Sequence, residues 1–176
     1  MDDYQRIFRL ASILLQYPDK EWMDTEEFYE EIGMIENKLV KILYKEFMNY
    51  LVDVPYFELC KTYTQTFDFS DKTTLYLTYP VFGENIDRGK GLLKLKDEFS
   101  GAGFPLESDE LPDYFPLILE FCSLAPIEAV HKMLLIHRKA IDQLLKELTL
   151  AENPYQFILQ GCIQEIETIL SNQKAS

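Results

Sequence analysis

Cysteine, histidine and positive charge are all scarce in this chain, and each shortage removes a class of function. The three cysteines, Cys60, Cys122 and Cys162, are widely separated and odd in number. That spacing argues against a disulfide framework and predicts reduced, mostly buried thiols. Each falls on an apolar helical face without a cationic neighbour nearby in sequence, so a catalytic thiolate is not expected. The two histidines, His131 and His137, are six residues apart, which puts them on nearly opposite sides of a helix, whereas two ligands on one face need a spacing of three or four. His137 sits on an apolar stripe and is expected as a hydrogen-bonded core residue, with His131 exposed. Neither a metal nor a cofactor is expected.

Basic residues number 17 against 30 acidic ones, giving a formal charge of -13. This balance opposes phosphate backbones and anionic membranes, so no nucleic acid partner is expected. It favours solubility, and it also suits a basic partner segment through encounter rate and specificity more than affinity. Glycine-rich motifs are missing as well. Gly89-Lys90-Gly91 looks like the tail of a phosphate loop but lacks the preceding strand and the glycine spacing. Carboxylates such as Asp109, Glu110 and Asp113 would do acid/base work only in a pocket that separates their pKa values, and solvated helix starts explain them more simply. No complete catalytic set is present, so the chain is not expected to be an enzyme.

Long apolar runs are also absent. Phe115-Pro116-Leu117-Ile118-Leu119 is cut by Glu120 far short of a bilayer-spanning length, and Met1 to Pro18 lacks the pattern of a secretory signal. The expectation is a cytoplasmic protein without direct membrane insertion.

What the chain does have is 47% apolar residues, recurring at three- and four-residue steps along nearly its whole length. The fold class is therefore all-α, a single compact domain over 1–176 of about seven to ten helices. Helix one starts near Asp2 with Gln5 completing a capping box, and presents Ile7, Leu10, Ile13 and Leu14. A second runs from about Glu21 to Ile32. The third carries Ile35, Leu39, Ile42, Leu43, Phe47 and Leu51, and a fourth buries Phe57, Cys60 and Tyr63. Ser70 is expected to cap a two-turn helix that holds Leu75, Tyr76 and Tyr79 and is limited by Pro80. Another covers Asn85 to Ser100, with Leu92, Leu93, Leu95 and Phe99 inward. Helix seven is expected from Ser108 or Asp109 to Leu124. Val130, Leu134, His137, Ile141, Leu144 and Leu148 line helix eight. Asn153-Pro154 opens helix nine, with Ile158, Cys162, Ile166, Ile169 and Leu170 inward, and 171–176 form a polar tail expected to fray.

One stretch stands apart. Phe67, Phe69, Tyr76, Tyr79, Phe82, Phe104, Tyr114 and Phe115 are concentrated beside Asp68, Asp71, Asp87, Glu110 and Asp113. Core packing accounts for any one ring, but together they suit aromatic walls with an acidic rim that hold a foreign helix and its basic flanks. The same stretch contains Phe67-Asp68-Phe69, Ser70-Asp71-Lys72, Leu75-Tyr76-Leu77-Thr78-Tyr79, Phe82-Gly83, Asp87-Arg88-Gly89 and Glu110-Leu111-Pro112-Asp113-Tyr114-Phe115-Pro116, followed by Leu119-Glu120-Phe121. In order and spacing this resembles the NarJ-type redox-enzyme maturation chaperones, also called the nitrate reductase delta subunit or molybdenum cofactor assembly chaperones.

The resemblance implies an accessory protein that binds the apo catalytic (alpha) subunit of respiratory nitrate reductase through its N-terminal segment, assists insertion of the molybdenum cofactor without itself needing to hold it, and acts before membrane attachment. Many relatives place a histidine after the Pro-Asp pair where this chain has Tyr114, so a role for that imidazole is not carried over. The expected peptide contacts are Tyr76, Tyr79, Phe82, Tyr114 and Phe115, with Asp68, Asp87, Glu110 and Asp113 at the rim. Arg88 is placed either with them or in an internal ion pair. A monomer or weak dimer is expected. The competing readings are a chaperone of the same fold for a dimethyl sulfoxide or trimethylamine oxide reductase, against which the segment Thr74 to Tyr79 speaks, and a small helical enzyme using the carboxylates.

Overall fold

Helix α1 (Asp3–Leu14) is the central strut, packed chiefly against α7 (Phe115–Leu124) on one side and α9 (Gln156–Asn172) on another. Its start follows the sequence: the Asp2 N–H donates to Gln5 Oε1 at 2.8 Å, half of the expected capping box. Ile7, Phe8, Ala11 and Leu14 have no exposed surface. Buried Ser12 Oγ donates to the Pro116 carbonyl at 2.8 Å and ties α1 to α7. The computed structural model describes residues 1–172. Ser171 and Asn172 close α9, and the rest of the expected tail, 173–176, lies outside the described residues.

The remaining elements are a 3-10 turn at Lys20–Met23, then α2 (Glu26–Gly33), α3 (Lys38–Asp53), α4 (Tyr56–Phe67), α5 (Tyr79–Phe82), α6 (Ile86–Gly101) and α8 (Ile127–Leu150). The all-α expectation holds, and among the described residues the sole β pairing is one antiparallel bridge, Tyr76 with Tyr114. Helix α3 packs against α9, α8 packs against α9 and α7, and the buried side chains join into one cluster. Helix α8 buries every residue of its expected stripe. Helix α9 buries Ile158, Cys162, Ile166 and Ile169 and approaches α3 closely at Gly161, where an added Cβ would fall against the Tyr44 ring, 3.0 Å from its Cδ1.

Several expectations are corrected. The second helix is two elements, because Trp22 plugs into the core against Phe28 at 6.2 Å and Asp19 Oδ1 accepts the Glu21 N–H at 3.0 Å, anchoring a separate turn. Helix α3 is rotated from its expected stripe: Val40, Tyr44 and Met48 are buried with Phe47 and Leu51, while Leu39 and Ile42 face outward. Two apolar stripes overlap there, and the small Gly161 opposite selects the one bearing Tyr44. On α4, Phe57 is exposed and Leu59 takes the inward place. On α6, Leu93 is exposed.

The expected helix capped by Ser70 does not form. Leu75 and Leu77 are buried while Tyr76 and Thr78 are half-buried, a period of two rather than 3.6. The backbone is satisfied by pairing instead: Leu77 N–H donates to the Asp113 carbonyl at 3.0 Å, and Phe115 N–H to the Leu75 carbonyl at 2.8 Å. Pro80 consequently lies in the first turn of α5, where its missing N–H costs nothing, rather than ending a helix. The same pairing holds Tyr114 extended, so α7 begins at Phe115 and not at Ser108 or Asp109, with Pro116 in its first turn.

Candidate functional site

The bridge between Tyr76 and Tyr114 brings two distant segments side by side, and the site is built on it. Beneath it lies Asp113, with 0% of its surface exposed. Its Oδ2 accepts from the Thr78 N–H at 3.2 Å, the Thr78 hydroxyl at 2.5 Å and Arg88 Nη2 at 3.1 Å. Arg88 Nε donates to the same Thr78 oxygen at 3.0 Å. One carboxylate thus clasps the loop before α5, the first turn of α6 and the approach to α7. Asp113 therefore cannot serve as a rim acid, and Arg88 takes the internal ion pair of its two possible roles. Phe115 is likewise 0% exposed and belongs to the core, so in this conformation it touches no partner.

Above the clasp the Tyr76 and Tyr114 rings lie 5.2 Å apart. Tyr76 donates its hydroxyl to Glu110 Oε1 at 3.0 Å, and that oxygen also accepts the Leu111 N–H at 2.9 Å. The Tyr114 hydroxyl is 3.5 Å from that of Tyr63, which donates to the Leu15 carbonyl at 2.9 Å. Burial pushes the Tyr76 phenol up, and its bond to Glu110 pushes it further, so Tyr76 remains a neutral donor. The Arg88 guanidinium lies over the Tyr79 ring, 5.4 Å from its centre.

These groups border a depression of about 240 Å³ walled by Phe67, Tyr76, Tyr79 and Leu111 and flanked by Asp68 and Asp71. Partial burial raises the Asp68 carboxyl above its ordinary value. Of the expected contacts, Asp68, Tyr76, Tyr79 and Arg88 line it, and Glu110 and Tyr114 adjoin it through Tyr76. Phe82 lines a different groove, and Asp87 is an exposed first-turn residue of α6 whose carboxylate meets Lys90 at 3.4 Å. Leu111 was missed, although an isolated leucine between Glu110 and Pro112, outside any helical stripe, was a usable signal. The arrangement offers ring faces and carboxylates but no nucleophile beside a base. No group of three or more His, Cys, Asp or Glu among the described residues could hold a metal ion.

His137 faces the clasp from α8. It is 3% exposed, as a core histidine should be, but its Nε2 has no hydrogen-bond partner. Burial lowers its pKa from 6.5 to about 4, opposed in part by the Asp113 carboxylate. The unfolded chain therefore takes up this proton near pH 6.5 while the folded protein refuses it until about pH 4. Stability contributed by neutral His137 is full above 6.5 and is lost as pH falls toward 4. In His137→Gln that part of the acid slope disappears, which urea midpoints on either side of pH 6.5 will reveal.

The chain is similar in sequence to a set of known proteins. The family described as nitrate reductase delta subunit matches residues 25–152. A probable nitrate reductase molybdenum cofactor assembly chaperone, NarJ of Bacillus subtilis, is 34% identical over 171 residues, covering 95% of this chain and 91% of that protein. The NarJ assembly chaperone of Escherichia coli K12 is 33% identical over 125 residues, 66% of this chain and 51% of its own length. A nitrate reductase-like protein, NarX of Mycobacterium tuberculosis, is 29% identical over 154 residues, 88% of this chain but 23% of its own length. Among the described residues no helix is long and apolar enough to cross a membrane.

Proposed function

Because the chain belongs to the nitrate reductase delta subunit family, we propose that it is a nitrate reductase molybdenum cofactor assembly chaperone that holds the apo catalytic subunit by that subunit's N-terminal segment. It works in the cytoplasm, as a monomer or weak dimer, before the enzyme attaches to the membrane. Its part is recognition and not catalysis, in keeping with relatives that are named as chaperones.

The observation that carries the mode of binding is the acid-rimmed aromatic depression standing on a clasp centred on the fully buried Asp113. Tyr76, Tyr79, Leu111 and Tyr114 offer apolar area to one face of a helix, and Asp68, Asp71 and Glu110 meet its basic flanks. Asp113, Arg88 and Phe115 hold the walls in place from below. Large rings in such positions supply most of the energy of an interface. A client segment that orders on docking spends part of that energy on its own folding, which favours moderate affinity and later release.

Calorimetric titration with a synthetic client N-terminal peptide tests this, with a scrambled peptide of equal charge as control. Saturable binding of the native order alone, with a negative heat-capacity change, is expected. Tyr79→Ala and Asp68→Lys should each weaken it at least about tenfold without lowering thermal stability. Equal binding of the two peptides sinks the proposal.

A further inference from the structure

On the far side of the Thr78–Phe82 segment lies a second groove of about 500 Å³ between α5, α6 and α8. Its volume is within the range of about 300–1,000 Å³ common to ligand sites. Val81, Phe82, Leu95, Ile136 and Ala140 make it apolar, and Val81 and Ile136 are 68% and 50% exposed. The charge around it is opposite to that of the protein as a whole. Lys94 and Lys139 stand at its edges without acidic partners among the described residues, and the one carboxylate in its lining, Glu98, is neutralised by Lys132 at 2.6 Å. His137 forms part of the wall, with its Nε2 unpartnered. In a chain of formal charge -13, two lysines beside an apolar trough are not what solubility alone requires.

We propose that this groove is a second docking site, for an amphipathic helix of a partner protein whose apolar stripe is flanked by acidic residues. The stripe covers Val81, Phe82 and Ile136, and the flanking carboxylates meet Lys94 and Lys139. At physiological ionic strength charges are screened beyond about 8 Å, so the lysines at the rim govern this contact and the net negative charge does not. The site is independent of the client-peptide depression, which selects the opposite charge.

The test uses the full chain and three fluorescently labelled helical peptides that share one leucine–phenylalanine stripe and carry flanking glutamate, glutamine or lysine. The glutamate peptide is expected to bind at least about tenfold tighter than the lysine peptide. Lys94→Glu with Lys139→Glu should invert that order, and Ile136→Asp should abolish binding of all three. Tyr79→Ala should change none of it, which separates this site from the client surface. A lysine peptide that binds as well as the glutamate peptide, an order indifferent to the double charge reversal, or binding that survives Ile136→Asp overturns the proposal.

Discussion

Asp113→Ala will unfold at a much lower urea concentration than the parent chain, with a loss of about 3 kcal/mol. The Asp113 side chain touches no solvent, so its removal leaves a gap lined by polar groups inside the protein. Three donors lose one shared acceptor: the Thr78 N–H, the Thr78 hydroxyl and Arg88 Nη2. Hydrogen bonds to a charged group are each worth about 1.5–3 kcal/mol. The full sum is not reached, because Arg88 keeps its bond to Thr78 and its side chain is partly exposed. Arg88→Lys does not reproduce the clasp, since an ammonium lacks the planar fork that reaches Thr78 and Asp113 together. Client-peptide affinity should fall in Asp113→Ala although Asp113 touches no partner, because the Tyr76 and Tyr79 walls lose their footing. A variant with unchanged urea midpoint and unchanged affinity would remove Asp113 from both roles.

Gly161→Leu will cost about 3 kcal/mol, and Gly161→Ala less, measured by thermal unfolding. Two effects oppose each other at this position. Glycine inside a helix is worse than alanine by about 1 kcal/mol, so substitution would help on propensity alone. Against this, any Cβ meets the Tyr44 ring, which has no exposed surface and whose hydroxyl donates to the Ile7 carbonyl at 3.1 Å. The ring has nowhere to go, so overpacking wins. In a Tyr44→Leu background the sign should reverse, and Gly161→Ala should become neutral or stabilising. Equal effects of Gly161→Ala in the two backgrounds would place the cause elsewhere.

The helices with one dominant stripe were legible in the sequence. Helix α8 follows its expected residues without exception, and α1 starts where Asp2 and Gln5 say it should. What periodicity could not decide was α3, where two stripes compete and the partner helix chooses. The stretch from Ser70 to Tyr79 was misread because short apolar runs fit either period. Leu75 and Leu77 alternate with Tyr76 and Thr78, but their hydrogen bonds lie more than 30 residues away, at Asp113 and Phe115. The composition of the candidate site was readable, and its depth was not. The structure gathers Asp68, Tyr76, Tyr79 and Arg88 around one depression, while burial sets Asp113 and Phe115 beneath it. The groove edged by Lys94 and Lys139 escaped notice because those lysines come from two helices far apart in the chain.

The bridge at Tyr76 and Tyr114 also divides the chain by connectivity. Residues 78–112, which hold α5 and α6, leave and return through one neck, pinned by the backbone bonds of Leu77 and Phe115. With both ends anchored, lengthening such an excursion carries only a loop-closure cost, about 0.6 kcal/mol for each doubling. The turn at Gly83, outside the paired neck, is therefore a place where the chain can accept added residues while α1, α7 and α9 stay as they are.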